Sequence, residues 1–592
     1  MKRILPLAAG CAALAAAVFY AAPFQTTGLF QATAPFQTKA LFQAAALFQP
    51  TAVRPLATLA PGGALLYLES PDFARELRDW NQSPEKQAWL AGADYAEFSR
   101  SMLFLRLTEE WKAFGGAAGF AADLPMLQSI AGKRSAVALY DIGRLEFLYI
   151  SEVPEAEAIK TALWRSRAHY EPRAAAGIPF YVRREQGHTV AFAASGGYLL
   201  LATREEALAG ALRLLSGEKA PAVADEPWYA ETVRAAKAPG EFRLVMNLEA
   251  VLETHQFRSH WIQENTPSLR EYWAGISDIH HNAGEIREDR ILLRRSPQPA
   301  PESVAALTRL APGDAGFYRA AAIGSADQAV SEILRKLVPQ RPTAAFEWEQ
   351  APEVTPPSAL APDAGAEGDL ETRIDEPPME RRDRFAAQPL AAEMARAGVK
   401  AYLEAQANLP AVGGVFRELP CALAFQAAGA WDDSAVRAAL STGLDNLWSA
   451  SGLGLHWVEL TRNGMTWHEL DGLAHLAVAT RGDLLIVGNS SAMVEAMLER
   501  AARPTAAALP ATFVAEFRRA QEQPNFDLLT GTLDRTNSRS GAFRGMSQGD
   551  AQPFFSGNLA SLGVALNRVM SAAIAVNDRG DALDQTVTYR LR

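Results

Sequence analysis

The chain has 592 residues, of which 49% are hydrophobic and 21% are charged, a composition typical of folded globular protein that excludes wholesale disorder. At about 150 residues per domain, this length provides material for roughly three to four domains. Lys and Arg number 57 against 67 Asp and Glu, giving a net charge of −10. An acidic chain repels phosphate backbones, so we do not expect nucleic acid to be a partner.

The first 22 residues predict a targeting signal. Lys2 and Arg3 precede the uncharged, largely apolar run Ile4–Ala22. Its length fits both a long secretory signal, which is removed, and a signal-anchor, which needs about 20 residues. Cys11 resembles a bacterial lipobox cysteine, although the leucine of that motif lies one position too far upstream. Cleavage, anchorage and lipidation at Cys11 remain alternatives, and each predicts export: to the periplasm, to the inner membrane facing the periplasm, or out of the cell.

A low-complexity tether follows over residues 23–57. The dipeptide Phe-Gln recurs every six residues, from Phe24 to Phe48. Because side chains alternate along an extended chain, a period of six would place every Phe on one face. Contact with the envelope and a simple expanded spacer are both consistent with this repeat, and the spacer is the simpler interpretation.

A strand–helix unit recurs in the globular region. Gly197–Leu212 has a gapless counterpart in Gly482–Met497, 285 positions later, with apolar residues matching apolar residues. Each copy predicts a buried strand and an amphipathic helix, and Thr203 with Glu206 fits a capping box at the first helix. The pattern predicts an internal duplication.

A second correspondence fixes the extent of the duplicated domains. Leu59–Tyr67 and Leu310–Tyr318 share an opening turn and strand at an offset of 251. We therefore predict a first domain over 58–300 and a second over 301–592, with a Pro-rich, acidic insert at about 342–388.

The predicted elements alternate between strands and helices along both domains. In the first domain they are a helix over 84–114 capped by Ser83, strands 135–140 and 145–150, a helix 155–167, a hairpin 180–184 and 190–194, the first strand–helix unit, and strands 242–246 and 291–295 with helical sequence 248–273 between them. In the second domain they are a helix 390–406, a strand 422–426, a helix 434–450, a hairpin 457–460 and 466–470, the second strand–helix unit, and strands 526–529 and 585–591. Hairpins are frequent and no glycine-rich crossover follows a strand, so we predict an α+β fold with mainly antiparallel sheets.

Two serine motifs fit catalytic patterns poorly. Gly545–Gly549 matches G-x-S-x-G around Ser547, but neither flank predicts the strand and helix that the nucleophile turn requires. Ser83 and Lys86 fit S-x-x-K without the companion elements of that machinery, and Ser83 is better explained as a helix cap.

The densest cluster of metal-capable side chains is Asp278, His280, His281 and Glu285. Neighbouring histidines on a strand point to opposite faces, so only one of the pair can join a given site, and a solvated strand or loop is the favoured interpretation. Gly132–Ser135 lacks the first glycine of a phosphate loop. We therefore assign no catalytic, cofactor-binding or metal residue and expect no cofactor. Cys421, the one cysteine after the signal, is predicted to be a buried small hydrophobe.

The layout resembles a loosely defined group of exported bacterial proteins of unknown function. The resemblance lies in the opening Leu59–Gly62, the Trp-rich stretch Trp80–Trp111 and the repeated strand–helix units, and it covers about 60–592. It implies an exported, duplicated α+β architecture and carries no site. The function we expect is a non-enzymatic envelope protein that binds a protein or envelope component, with enzymatic activity left open. The alternative is a hydrolase or ligand-binding enzyme whose site forms between the two halves.

Overall fold

The structure is a computed structural model that describes sixteen parts of the chain at residue level. The described residues are 54–83, 86–87, 90, 95, 99, 102–119, 124–185, 187–254, 269–282, 284–338, 385–407, 419–448, 455–471, 475–503, 510–525 and 569–592. The signal and most of the tether, residues 342–384 of the predicted insert, the predicted strand 526–529 and the Gly545–Gly549 motif lie outside them. The last residues of the predicted insert, 385–388, are described and lead into a helix that begins at Ala387.

The chain divides into two compact units, 1–300 with 528–592, and 301–527. Unit 1 contains strands β1 Leu66–Ser70, β2 Ser135–Asp141, β3 Glu146–Glu152, β4 Glu171–Ala175, β5 Ile178–Glu185, β6 His188–Ser195, β7 Tyr198–Ala202, β8 Phe242–Met246, β9 Tyr272–Asn282, β10 Glu285–Arg294, β19 Val569–Asp578 and β20 Ala582–Leu591. Its helices are α1 Phe73–Gln82, α2 Met102–Ala118, α3 Leu124–Ile130, α4 Glu155–Ala158, α5 Ala162–Arg165, α6 Glu205–Ser216, α7 Pro227–Ala235 and α8 Leu248–Glu253.

Unit 2 contains eight described strands, four helices whose two ends are both described, and a helical stretch at 519–525. The strands are β11 Phe317–Ala322, β12 Val399–Gln406, β13 Cys421–Ala427, β14 His456–Arg462, β15 Met465–Asp471, β16 Leu476–Arg481, β17 Leu484–Gly488 and β18 Phe513–Arg518. The helices are α9 Ala326–Leu337, α10 Ala387–Ala397, α11 Asp433–Trp448 and α12 Ser491–Ala501.

The strands of unit 1 pair antiparallel in the order β4-β5-β6-β7-β3-β2-β1-β8-β9-β10-β20-β19. Those of unit 2 pair antiparallel in the order β14-β15-β16-β17-β13-β12-β11-β18. If the strands are numbered from one within each unit, the first eight strands of unit 1 and the eight described strands of unit 2 have the same spatial order, 4-5-6-7-3-2-1-8. The mixture of helices with a large antiparallel sheet confirms the predicted α+β class.

Helices cover both faces of each sheet, and the recurring strands β7 and β17 are apolar at every position. In unit 1, Leu200 packs with α6 and α7, whereas its neighbours Leu199 and Leu201 pack with α2 and α3 on the opposite face. In unit 2, Leu485 packs with α9, α10 and α11, and Ile486 packs with α12. The strand–helix unit that recurs in the sequence lies at the centre of each core.

Three local predictions were wrong in detail. Thr203 does not cap α6: its hydroxyl donates to the Leu145 carbonyl and accepts from the Phe147 amide, and the residue at the cap is Arg204. The helix predicted over 390–406 ends at Gly398, whose φ of 70° breaks it, and β12 follows. The helix predicted over 155–167 is interrupted after Ala158 and resumes as α5.

Two differences change the extent of unit 1. Residues 272–273 begin the long strand β9 rather than ending a helix. The last strand, β20, pairs with β10 along nine residues, so the C-terminal hairpin belongs to unit 1 and the second unit stops short of the predicted 592.

Candidate functional site

A row of polar side chains crosses the sheet of unit 1 and contains part of the predicted metal-capable cluster. Glu69, Arg243, Asp278, Asp289 and Thr586 are directly paired across β1, β8, β9, β10 and β20. Because directly paired residues share a face, all five side chains point to the side of the sheet that carries α6 and α7. The sheet register thus brings together groups that are far apart in the sequence.

Arg243 and Asp278 form a buried, two-pronged ion pair. The Arg243 Nε and Nη2 atoms lie 2.7 and 2.9 Å from the two carboxylate oxygens of Asp278, and the side chains are 9% and 4% exposed. The Gly240 amide donates to Asp278 Oδ1 at 3.3 Å. A side chain at Gly240 would collide with the Ile279 carbonyl at 2.2 Å, so this close approach requires glycine. Both oxygens of Asp278 are therefore occupied by donors.

Arg243 provides the positive charge that compensates the acidic side chains Asp278 and Glu69 of this row. Burial opposes its charge, but the hydrogen bonds and charge of Asp278 outweigh burial and hold the pKa of the guanidinium above its ordinary value. Burial raises the pKa of Glu69, and the Tyr67 hydroxyl with the positive charges of Arg243 and Arg134 offsets only part of this effect. Arg243 thus compensates two acidic groups at once.

Asp289 is held by three neighbours. Its Oδ1 accepts a hydrogen bond from Thr586 Oγ1 at 2.8 Å, and its Oδ2 lies 3.1 Å from Arg287 Nε and 3.5 Å from His280 Nε2. His280 and Arg287 are paired across β9 and β10, on the same face. His280 therefore approaches Asp289, a residue that the sequence reasoning did not single out.

The predicted cluster does not come together as a metal site. Asp278 and His280 share a face, His281 points to the other face and is exposed, and Glu285 lies at the hairpin end beside Arg590. Among the described residues, no group of three or more His, Cys, Asp or Glu side chains has the arrangement of a metal site. The predicted solvated segment is also wrong for Asp278, which is buried by its pairing with Arg243.

A second polar network lies on the opposite face of the same strands. Ser277 Oγ donates to Glu288 Oε1 at 2.6 Å, and Arg290 Nη2 donates to the same oxygen at 2.6 Å. Arg290 Nη1 donates to Gln585 Oε1 at 3.1 Å. Ser277, Arg290 and Gln585 are buried, and these bonds provide the partners that buried polar groups require.

A small pocket of about 330 Å³, open solvent included, lies between residues 236–238, after α7, and the strands β9, β10 and β20. Its lining includes Lys237, Asp278, Asp289 and Asp584. Burial raises the pKa of Asp584, an effect that Arg579, whose guanidinium lies 3.3 Å away, and Lys237 partly oppose. The pocket adjoins the row of polar side chains at Asp278, Asp289 and Thr586. Two of its three carboxylates are already engaged, Asp278 with Arg243 and Asp289 with Thr586.

The other sequence candidates have structural roles in the described residues. Ser83 Oγ accepts the Lys86 amide at 3.1 Å, which confirms the predicted helix cap, while the Lys86 ammonium donates to Asn81 Oδ1 at 2.5 Å. The Gly132 amide donates to Ser151 Oγ. Cys421 is buried, as predicted, and burial raises the pKa of its thiol to about 12.

Unit 2 contains a buried charge cluster that sequence reasoning missed. Glu404 is fully buried, and its carboxylate lies 2.5 Å from both Arg319 Nε and Lys336 Nζ. Burial alone would raise its pKa, but Lys336 and Arg319 hold the pKa below the ordinary value. The available signal was a lone acidic residue within the apolar run 401–405.

Comparisons with known proteins add little to this geometry. No family model matches the chain, and no curated protein matches it. Two solved structures of TP0453, in crystal forms I and III, are 15% and 12% identical; each comparison covers 42% of this chain, and 82% and 83% of those chains, with a TM-score of 0.24. A likeness at that score carries no conclusion. Within the described residues, none of the helices has the length and apolar character needed to cross a bilayer.

Proposed function

We propose that this chain is a non-enzymatic, exported envelope protein that binds another protein or an envelope component through two duplicated α+β domains. The observation that carries the proposal is the shared strand order of the two units, in which the recurring sequence segments occupy β7 with α6 and β17 with α12. A shared strand order does not itself define a function, so the proposal places binding on the surfaces that differ between the two units.

The polar side chains of unit 1 support binding over catalysis. Asp278 has both oxygens bonded to Arg243, and Asp289 is engaged by Thr586 and Arg287. A general base needs a free lone pair directed at a substrate proton, whereas these carboxylates neutralise neighbouring cations. The N-terminal run Ile4–Ala22 supports export, with the tether holding the globular units at or near the envelope.

The test is chemical crosslinking in intact cells, followed by purification of the full-length protein and mass spectrometry. We expect one protein or envelope component to be recovered in stoichiometric amount. His280→Ala and His281→Ala variants should recover it equally, because neither histidine acts chemically in the proposed role. Recovery of the chain alone, or loss of its cellular role in a folded His280→Ala variant, would contradict the proposal.

A further inference from the structure

The two units end in matching strands at one side of their sheets, β4 in unit 1 and β14 in unit 2. Each is joined to its neighbour by a two-residue turn with positive φ at both positions, Ala176-Gly177 and Asn463-Gly464. This is the type I′ geometry of tight hairpins. The closing pairs are Ala175 with Ile178 and Arg462 with Met465, so positions in the two strands can be compared by counting back from the turn.

The turn geometry determines which backbone groups face outward. The closing pair of a two-residue hairpin is hydrogen-bonded, and hydrogen-bonded residues alternate with outward-facing ones along the strand. In β14 the outward residues are Trp457, Glu459 and Thr461. Among the described residues no strand pairs with β14 on that side, and no backbone hydrogen bond reaches these three residues from another segment. With respect to the described part of the chain, their N–H and C=O groups therefore form an open edge.

The equivalent edge of unit 1 is closed by proline. Pro172 lies three residues before its closing residue, at the position that Glu459 occupies in β14. A proline there removes an outward N–H without breaking the ladder to β5, which is a common protection of edge strands. The flanking Glu171 and Arg173 are exposed charges, a further protection. Strand β14 also carries exposed charges, Glu459 and Arg462, but it contains no proline, and its Val458 is 49% exposed.

We propose that the outer edge of β14 accepts an extended segment of a partner protein, which adds to the sheet of unit 2 as a further strand. This assignment rests on the proposed protein-binding function and specifies its surface. The Glu459 side chain lies 3.4 Å from His468 Nε2 on the neighbouring strand β15 but is still 66% exposed, and it selects a basic residue opposite it on the added strand. Val458 and Leu460 point to the other face of the strand and select apolar residues at the alternate positions.

A second copy of this chain fits the edge less well. Symmetric antiparallel pairing of two β14 strands over their full length places Glu459 opposite Glu459 and His456 opposite Arg462. Like charges directly opposite each other destabilise a strand pair, and a shift of the register by two residues shortens the overlap. The charges therefore favour a different chain as the occupant.

The test uses the full-length protein and a capped peptide of alternating Thr and Val with a central Lys. Binding is measured by amide hydrogen exchange, and we expect at least tenfold slower exchange at Trp457, Glu459 and Thr461. One control peptide is N-methylated on the amides that face β14, so it cannot form the hydrogen bonds of a strand pair. The other has Glu in place of the central Lys, and we expect it to bind at least about threefold more weakly.

Protein variants separate the edge from the rest of the molecule. Glu459→Pro transfers the protection of unit 1 to unit 2 and should abolish binding, whereas Pro172→Glu should open β4. If Glu459→Pro fails to fold, Glu459→Lys keeps the strand and should reverse the preference to the central-Glu peptide. No protection with the central-Lys peptide at about 1 mM, equal binding of the N-methylated peptide, or a dimer that Glu459→Pro dissociates would overturn the assignment.

The failure of this surface can be distinguished from failure of the proposed function. A stoichiometric partner crosslinked equally by the wild type and by folded Glu459→Pro would overturn the β14 assignment and leave the binding function intact. Loss of that partner in Glu459→Pro, together with peptide protection of β14, would support both.

Discussion

Replacing Arg243 by Met should destabilise unit 1 more than any other single change in the polar row. The side chain is buried with Asp278, and removal of one partner from a buried ion pair costs about 3–5 kcal/mol because the remaining charge is left uncompensated. The Coulomb attraction gives a similar figure, about 4 kcal/mol for charges about 4 Å apart at an effective dielectric constant of about 20. We expect a loss of about 4 kcal/mol in the free energy of unfolding.

The two single variants should differ. Arg243→Met leaves both Asp278 and Glu69 without their common cation, whereas Asp278→Leu leaves Arg243 with Glu69 still nearby. We therefore expect Asp278→Leu to be milder than Arg243→Met. The double variant Arg243→Met with Asp278→Leu should recover most of the loss, because apolar replacement of a whole buried pair is often close to neutral.

The measurement is native-state hydrogen exchange at Val245 and Ile276, a buried cross-strand pair beside the ion pair, with Ile486 of unit 2 as an internal control. Faster exchange at Val245 and Ile276 with no change at Ile486 is the expected result. A double variant as unstable as Arg243→Met would show that side-chain packing, rather than charge compensation, is what the pair contributes. Two single variants within about 1 kcal/mol of wild type would refute the burial argument.

Three further predictions follow from individual sites. The pKa of Glu69 in the folded protein is raised above its ordinary value of 4.5, so the wild type should lose stability as the pH rises from 4.5 through the raised pKa. The Glu69→Gln variant should lack this loss in urea titrations, and a parallel pH dependence of the two proteins would contradict the prediction. Cys421, buried with a thiol pKa of about 12, should resist iodoacetamide at pH 8 until urea unfolds unit 2. Labelling is read by mass spectrometry on the peptide that contains Cys421, so that Cys11 does not contribute, and rapid labelling of Cys421 in the native protein would show an accessible thiol. Gly132→Ala places a Cβ 2.1 Å from the Glu152 carbonyl oxygen and should lower the free energy of unfolding, measured by calorimetry, by about 1–3 kcal/mol or more. The matched control is Gly313→Ala, whose Cβ would have nothing within 4 Å and which should leave the stability nearly unchanged.

Local patterns predicted the parts of the fold that depend on near neighbours. The segment over Gly197–Leu212 was recognised as strand and helix because its apolar spacing changes from a continuous run to a helical period, and Gly217 closes the helix with a φ of 91°. The sequence did not predict the start of strand β9 for two reasons. Its apolar residues from Tyr272 onward directly follow a stretch with a helical pattern, and its charged residue Asp278 is buried only by partners on other strands. Gly398 was a visible signal for the end of α10 that the sequence reasoning did not use.

The polar row was not predictable from local sequence, since its members meet only through sheet register. Arg243 and Asp278 are 35 positions apart, and Asp289 and Thr586 are 297 apart. An isolated charged residue in a strand looks solvated until its cross-strand neighbours are known. The same limit explains why the sequence placed the cluster of Asp278 and His280 in solvent, and why Glu404 received no attention.

The pairing of the last strands with unit 1 has a physical explanation in the partners that they provide for β10. Arg294 is bonded to Asp578 by two contacts of 2.5 and 2.8 Å, Arg290 to Gln585 and Asp289 to Thr586. Without the C-terminal hairpin, three charged side chains on β10 would lose partners, and the edge of that strand would lose nine cross-strand pairs. The entropy of closing so long a loop grows only logarithmically with its length, so an interruption of the unit by residues 301–527 opposes this pairing weakly. The polar partners of β10 and its nine cross-strand pairs with β20, rather than proximity in the sequence, therefore favour completion of unit 1 by the C-terminal hairpin.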